Sequence, residues 1–514
     1  MCLRINSDDA VHCDAILGIV LRYSRPVADL DISRDIRLGK YKRPPSGAPS
    51  DLREPAKFFD CQEELNPFRF ERPFQASHDI PPTLLHPIFG EFLDDCESHV
   101  PNREDNMLAF DLRLDMSQNF GPESDRLSKL VCILRKHGIE AYSPEMHSKG
   151  SSYRADAGVQ VNGFRLVIIE SKDEIGSEGA EPLFQAIWHY QRSVGGEDKM
   201  RMPIAMYPNS SLPCLLLYAF GSFCSFLTLT HLLILTAVGP HLGFAGAAYT
   251  DRPHVQVLST PLPFLYHHTD IELQLTVARH VGALKNAIAK LRRYYEVDLP
   301  SLKKIGINQQ SPNVLYPYPS EFISLRDPSK STRRFTYKSR FEGKLVFKAV
   351  LANGSLVCVK FTRRYSIAAH EECVKLQCAP VLHDFKLLPG GWFMIVMDYL
   401  DYDHYHVPED SDLSDELYEV MKNSLDKLHK AGFVHGDIRI INTMVKNNEP
   451  SRFMLLDFDW SGIIGEVRYP PNVNTAQELQ RPDGAIDGKL VLAKHDRKML
   501  KVMFPTSDRR QKIR

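Results

Sequence analysis

Apolar positions first take on a helical rhythm at His86. HPIFGEFLDDCESHV spaces them for one helix, and ESDRLSKLVCILRKHG (123–138) sets Leu127, Leu130, Val131 and Leu134 at i, i+3, i+4 and i+7. The rhythm then becomes strand-like in YRADAGVQV and FRLVIIESK, which predict a hairpin across Asn162-Gly163. A helix is expected at about 181–193, strands at LGFAGAAYT and HVQVLS, and a long charged helix over about 271–296. The polar, Pro-containing stretch 297–330 reads as a linker, with a second αβ unit at 331–505 and a basic tail at 506–514. Residues 1–85, Pro/Arg-rich at 40–57, are expected to be a poorly ordered arm, or an arm lying on the main body.

Leu212–Val238 carries no charged residue and is long enough to cross a bilayer. Pro213 and Gly221 interrupt it, and no Lys/Arg cluster flanks it closely. It also falls inside a region that otherwise reads as one αβ domain (86–296). We therefore expect Leu215–Tyr218 to be a buried strand, about 219–238 to be an apolar insertion, and no membrane partner.

A length of 514 residues suits about three units. Hydrophobic residues at 43% and charged residues at 25% exclude wholesale disorder. A formal net charge of -1 gives no global field, so any polyanion site must be a local patch. The basic stretches at 329–340 and 509–514 read as a solvated linker and tail. The ten cysteines show no C-x-x-C pair or zinc spacing and read as reduced thiols. Asp8, Asp9 and Asp14 stand where a secretory signal needs an apolar run. The expected location is intracellular, nuclear or cytoplasmic.

Asp156 and Glu170 fall near the ends of adjacent strands, with Lys172 two residues beyond the second. Alternation with period two sends these side chains to one sheet face. Paired carboxylates suit Mg²⁺, which activates water at a scissile phosphate, and the lysine can orient that nucleophile. Gln185 on the next helix can point back at the site, and Glu123 is a candidate further metal ligand. This order resembles the PD-(D/E)xK restriction-endonuclease-like superfamily over about residues 105–296. The resemblance implies an α/β/α fold with Asp156 and Glu170 as the metal pair, Lys172 as the catalytic lysine and DNA as a partner. The family's helical Gln with an aromatic four residues later is half met, because His189 occupies that place and Tyr190 the next. Related sequences run the LLLY strand almost straight into GPHLGFAGA, so an unspliced intron is one origin for the extra segment.

A second constellation lies at 335–460. His435-Gly436-Asp437 with Arg439 and Asn442 gives H-x-D-x-x-x-x-N, and Asp457 follows in LLDFD. Upstream, LVCVKF puts Lys360 in a strand, and a helix at about 366–378 carries Glu371 and Glu372. This order suits phosphoryl transfer, which works by positioning and charge neutralisation. Lys360 would hold the α/β-phosphates, oriented by a helical glutamate. Asp457 and Asn442 would carry Mg²⁺, Asp437 would accept or orient the substrate hydroxyl, and Arg439 would neutralise the γ-phosphate.

The stretch resembles the protein-kinase-like superfamily. More narrowly, HGDIRIINTMV, LLDFDWSG, VRYP and DGKLVLAKHDRKML resemble the fungal-type protein kinase family, whose members often carry a nuclease-like domain upstream, as do Crinkler-type effectors. That implies a minimal bilobal kinase-like domain using ATP and Mg²⁺ on a protein substrate. The departures are specific. The phosphate lid, Phe341-Glu342-Gly343-Lys344, has only Gly343. Gly436 replaces the usual arginine, as in aminoglycoside phosphotransferase-like enzymes, and Asp-Phe-Asp replaces Asp-Phe-Gly.

The leading expectation is therefore an α+β multidomain phosphotransferase fused behind an endonuclease-like domain. The alternatives are a metal-dependent DNA endonuclease effector regulated by the kinase part, and a non-catalytic pseudokinase scaffold.

Overall fold

The computed structural model describes residues 69–70, 79–118, 120, 123–142, 157–172, 182–195, 203–207, 209–220, 241–264, 266–304, 314–327, 329–476 and 479–504. The chain is a mixed α+β structure that divides into two units between Pro319 and Ser320.

In the first unit, β1 (Arg69–Phe70) is followed by α1 (Pro82–Leu85), α2 (Pro87–Ser98), α3 (Arg103–Met116) and α4 (Glu123–Lys136). Next come β2 (Ala157–Val161), β3 (Phe164–Lys172), α5 (Pro182–Gly195), α6 (Pro203–Met206), β4 (Cys214–Phe220), β5 (His241–Tyr249) and β6 (Pro253–Pro263). The unit closes with α7 (Ile271–Arg293), a π-helical turn at Tyr294–Asp298 and α8 (Leu299–Lys304).

The Asn162-Gly163 hairpin forms, with φ of 48° and 83° at the two positions, as a two-residue primed turn requires. The six strands order as β1-β6-β5-β4-β3-β2. β3 and β4 run parallel and are linked through α5, whereas β4 and β5 are antiparallel. Residues Leu166 to Glu170 of β3 are all buried, so this strand is covered on both faces. α5 packs on β3 and β4, and α7 packs on α2 and α3.

The arm and linker boundaries are corrected by two observations. β1 pairs in parallel with β6, and Thr83, Leu84 and Leu85 of α1 are buried, so the packed structure starts upstream of His86. Within 297–330, Tyr316 is buried, the Tyr318 amide donates to the Leu84 carbonyl (2.8 Å), and Glu321–Ile323 forms a strand of the second unit. Pro317 and Pro319 are themselves buried there, so the prolines of this stretch belong to the packed structure. No described helix is long and apolar enough to cross a membrane. Cys214–Phe220 is strand, and residues 221–240 lie outside the described residues.

The second unit opens with an antiparallel sheet ordered β11-β12-β10-β9-β8-β7. Its strands are β7 (Glu321–Ile323), β8 (Thr332–Arg340), β9 (Val346–Leu351), β10 (Leu356–Thr362), β11 (Leu382–Leu388) and β12 (Trp392–Asp398). α9 (Ile367–Lys375), capped by the Ser366 hydroxyl, lies between β10 and β11 in the chain. The remainder comprises β13 (Tyr405–His406), α10 (Asp415–Lys430), β14 (Phe433–Val434), β15 (Thr443–Lys446), β16 (Glu449–Leu455), β17 (Gly462–Ile463) and α11 (Ala493–Met503). Leu417, Met421, Leu425 and Leu428 form the buried stripe of α10. They pack with Ala369 and Cys373 of α9 and with Met499, Leu500 and Met503 of α11. Each buried Leu or Met of this cluster contributes about 1.5–3 kcal/mol, and the smaller Ala369 and Cys373 dock α9 against it.

Candidate active site

The sheet and the C-terminal half of the second unit enclose a cavity of about 600 Å³. Val346, Cys358, Met397, Met444 and Leu456 line its apolar part, and Lys360, Asn442, Asp457 and Asp459 its polar end.

Lys360 sits on β10 between neighbours on both sides, β9 and β12, which fixes its backbone. Its ammonium donates to Asp457 Oδ1 and to Asp459 Oδ1, each at 2.6 Å. Burial alone would lower the Lys360 pKa, but the two carboxylates hold it well above its ordinary value. Burial likewise opposes ionisation of Asp457, yet the Lys360 ammonium outweighs it and draws that carboxyl down to about 2. For Asp459 burial prevails, reinforced by the neighbouring Asp457 charge, and its carboxyl is pushed up to about 6. Asp457 itself has φ of 68°, in the left-handed region, at the entry to the 3-10 turn Phe458–Trp460. For a non-glycine residue that conformation costs on the order of 1–3 kcal/mol, a strain that clusters at functional sites.

The expected glutamate partner of Lys360 is corrected. Glu371 is held by Arg326 Nη2 at 2.9 and 3.1 Å, and Glu372 by Lys375 at 2.9 Å. The buried face of α9 instead presents Ala369, His370 and Cys373. His370 lies parallel to Phe458 at 4.5 Å; its Nε2 contacts the Pro380 carbonyl (2.8 Å) and its Nδ1 the Tyr365 hydroxyl (2.7 Å).

Asp437 is almost sealed from solvent. Its Oδ2 accepts from Arg439 Nη2 (2.6 Å) and Asn442 Nδ2 (2.8 Å), and its Oδ1 from Arg481 Nη1 (3.0 Å). Asn442 Nδ2 also donates to the Asp437 carbonyl at 2.9 Å, which leaves Oδ1 as the amide's metal-type donor atom. Gly436 has φ of 85°, and a Cβ there would meet the Trp460 carbonyl at 2.8 Å, so an arginine has no room at this position. The loop is held from below by buried Asp496 of α11. Asp496 accepts from the His435 amide (2.9 Å), the Gly436 amide (2.8 Å) and His429 Nε2 (2.9 Å). Gly343, at φ of 67°, occupies the turn between β8 and β9, where the Lys344 amide donates to the Phe341 carbonyl (3.1 Å).

Two anchoring residues, Arg481 and Asp496, were not identified from the sequence. Asp496 did leave a signal. It shares the i, i+3, i+4, i+7 stripe of Met499, Leu500 and Met503, where a charge is out of place unless it is bonded.

In the first unit, Glu170 is buried on β3 and its Oε1 lies 3.5 Å from His189 Nε2. Burial, aided by the Arg165 and Arg192 charges, lowers the His189 pKa to about 3, so this imidazole is neutral. The α5 residue at Glu170 is thus His189, one turn beyond half-buried Gln185. Asp156 lies outside the described residues, and Glu123 and Lys172 are described by backbone alone, at the start of α4 and the end of β3.

No protein-family model matches this chain, and no curated protein does. Among solved structures, the Cydia pomonella granulovirus kinase PK-1 is similar at 16% identity and a TM-score of 0.26, over 31% of this chain and 63% of that kinase. Vaccinia related kinase 3 is similar at 12% identity and a TM-score of 0.26, over 36% of this chain and 67% of its own. Likenesses this partial establish no kinship.

Proposed function

We propose that residues 320–504 form a protein-kinase-like domain that transfers the γ-phosphoryl group of ATP to a hydroxyl acceptor, with a protein as the substrate. The observation that carries this reading is the meeting of Lys360, Asp457, Asn442 and an apolar slot in one cavity, beside the anchored Asp437. The donor set fits Mg²⁺: the Asp457 carboxylate and Asn442 Oδ1 would hold it, and it would neutralise charge on the phosphates. Lys360 binds the α/β-phosphates, and Val346, Met397 and Met444 receive the base. Asp437 orients the acceptor hydroxyl and takes its proton, while Arg439 balances charge on the transferred group.

Calorimetric titration of the full chain with Mg²⁺ and ATP tests the reading. Binding is expected to be lost in both Lys360→Ala and Asp457→Ala. A folded chain that binds no ATP at millimolar concentration would sink it.

For the first unit we retain a second reading, a metal-dependent endonuclease acting on DNA. What favours it is Glu170, a carboxylate sealed into the sheet at the position the motif reading requires. Mg²⁺-dependent nicking of plasmid DNA that disappears in Glu170→Ala would support it, and nicking by that variant at the wild-type rate would exclude it.

A further inference from the structure

We propose that Asp459 is the carboxylate that positions Lys360, in place of a glutamate from α9, an assignment that rests on the phosphotransferase reading above. Asp459 Oδ1 is 2.6 Å from Lys360 Nζ, and its other oxygen lies 3.1 Å from the Thr362 hydroxyl, whose proton it shares with the Arg364 carbonyl at 3.1 Å. Thr362 follows Lys360 by two residues on β10, so both groups project from one face of the strand and grip the same carboxylate. The carboxylate is thereby held in orientation as well as in place.

No competing partner for the lysine comes from α9. Glu371 is engaged by Arg326 and Glu372 by Lys375, while the face of the helix turned inward carries Ala369, His370 and Cys373. Asp457 does touch Lys360, but it is also the carboxylate the metal requires. A lysine kept aligned while Asp457 serves a cation needs a second acid, and Asp459 is already there. The left-handed backbone at Asp457 followed by the Phe458–Trp460 turn brings both acids to one ammonium and sends the intervening Phe458 into the core.

The consequence concerns control. Lysine alignment is built into the segment that carries the metal ligand, so the site stays assembled whatever contact Glu371 makes.

The test uses the full chain and two readouts. The first is Mg²⁺–ATP affinity by calorimetry for wild type, Lys360→Ala, Asp459→Asn, Asp459→Glu and Glu371→Gln. Loss of a charge-assisted bond should weaken binding by roughly ten-fold or more in Asp459→Asn, with recovery in Asp459→Glu and no change in Glu371→Gln. The second is the rate at which the Lys360 amine is reductively methylated in protein without nucleotide, read by mass spectrometry. It should rise several-fold in Asp459→Asn and stay at the wild-type value in Glu371→Gln, and it reads the contact without relying on ATP binding. Should Asp459→Asn fail to fold, Thr362→Val takes its place, with a smaller shift in the same direction.

The assignment is overturned if Asp459→Asn and Thr362→Val both match wild type, or if Glu371→Gln produces the larger loss. Wild-type protein that binds no ATP would instead remove the phosphotransferase reading itself.

Discussion

Arg481 Nη1 lies 3.0 Å from Asp437 Oδ1, and both side chains are almost closed to solvent. Arg481 also places its guanidinium 4.7 Å from the Trp460 ring centre and donates from Nε to the Asn474 carbonyl at 2.7 Å. The arginine therefore fixes the carboxylate of the candidate base to the loop that follows β17. Removing it leaves Asp437 Oδ1 without its donor while Oδ2 keeps Arg439 and Asn442, the loss of one charge-assisted bond at about 1.5–3 kcal/mol. Arg481→Ala should lower unfolding free energy by that order in urea titrations. Arg481→Lys should recover part of it, because it keeps the charge but not the planar fork or the stacking. A change below about 0.5 kcal/mol, the usual range for surface sites, would show that the pair carries no structural weight.

Asp496 suspends the H-x-D loop from α11 through the amides of His435 and Gly436. Asp496→Ala orphans the two buried amides, each worth about 1–3 kcal/mol when left unmade, and also takes the acceptor from His429 Nε2. We expect strong destabilisation and rapid hydrogen exchange at those two amides, with slow exchange retained in the α10 interior. Uniform acceleration across the unit would mean that Asp496 supports the whole fold and not the loop specifically.

How far the site was legible depended on whether its parts lie close together in the chain. Asp437, Arg439 and Asn442 share a short motif, and Asp457 follows an apolar strand, so spacing alone gathered them. Arg481 stands in a polar, Pro-containing loop with no period, and only the folded chain shows that its side chain turns inward to Asp437. The choice between Glu371 and Glu372 could not be settled from sequence, because neighbouring acids on a helix look alike until Arg326 arrives from outside the helix. Gly436 was visible as a departure from the kinase pattern, but its cause, the Trp460 carbonyl, comes from a later segment. The fold followed the same rule. The Asn162-Gly163 hairpin was local and readable, whereas the pairing of Arg69–Phe70 with His254–Val255 joins segments that no local pattern connects.

Buried His370 gives the second unit a defined pH response. Burial lowers its pKa to about 4, so the folded imidazole stays neutral; Nε2–H then donates to the Pro380 carbonyl while Nδ1 accepts from Tyr365. Between the ordinary value of 6.5 and about 4, the unfolded chain takes up a proton that the folded chain refuses. The stabilisation is thus complete above pH 6.5, falls as pH drops toward 4, and levels below; the total is about 3 kcal/mol. Buried His435, whose pKa is also lowered by burial, adds to the slope in the same direction, so the comparison must be between proteins. The unfolding free energy of His370→Asn should decline less steeply from pH 6.5 to 4 than that of wild type. Parallel curves would show that His370 does not titrate on unfolding.

Phe220 and His241 are register partners at the ends of antiparallel β4 and β5, with residues 221–240 between them in the chain. Val161 and Phe164 bear the same relation at the ends of β2 and β3, and there Asn162-Gly163 alone closes the hairpin. The geometry of the β4–β5 ladder therefore asks for no more than a two-residue turn. Replacing residues 221–240 with Asn-Gly should preserve the sheet and leave the melting temperature equal or higher, since closing a short loop costs less chain entropy. It should also improve solubility, because the segment removed has no charged residue. Circular dichroism and a thermal melt of the shortened chain decide the matter. Retained cooperative unfolding would mark the segment as an addition to a complete domain, and loss of it would show that the central β4–β5 ladder depends on residues 221–240.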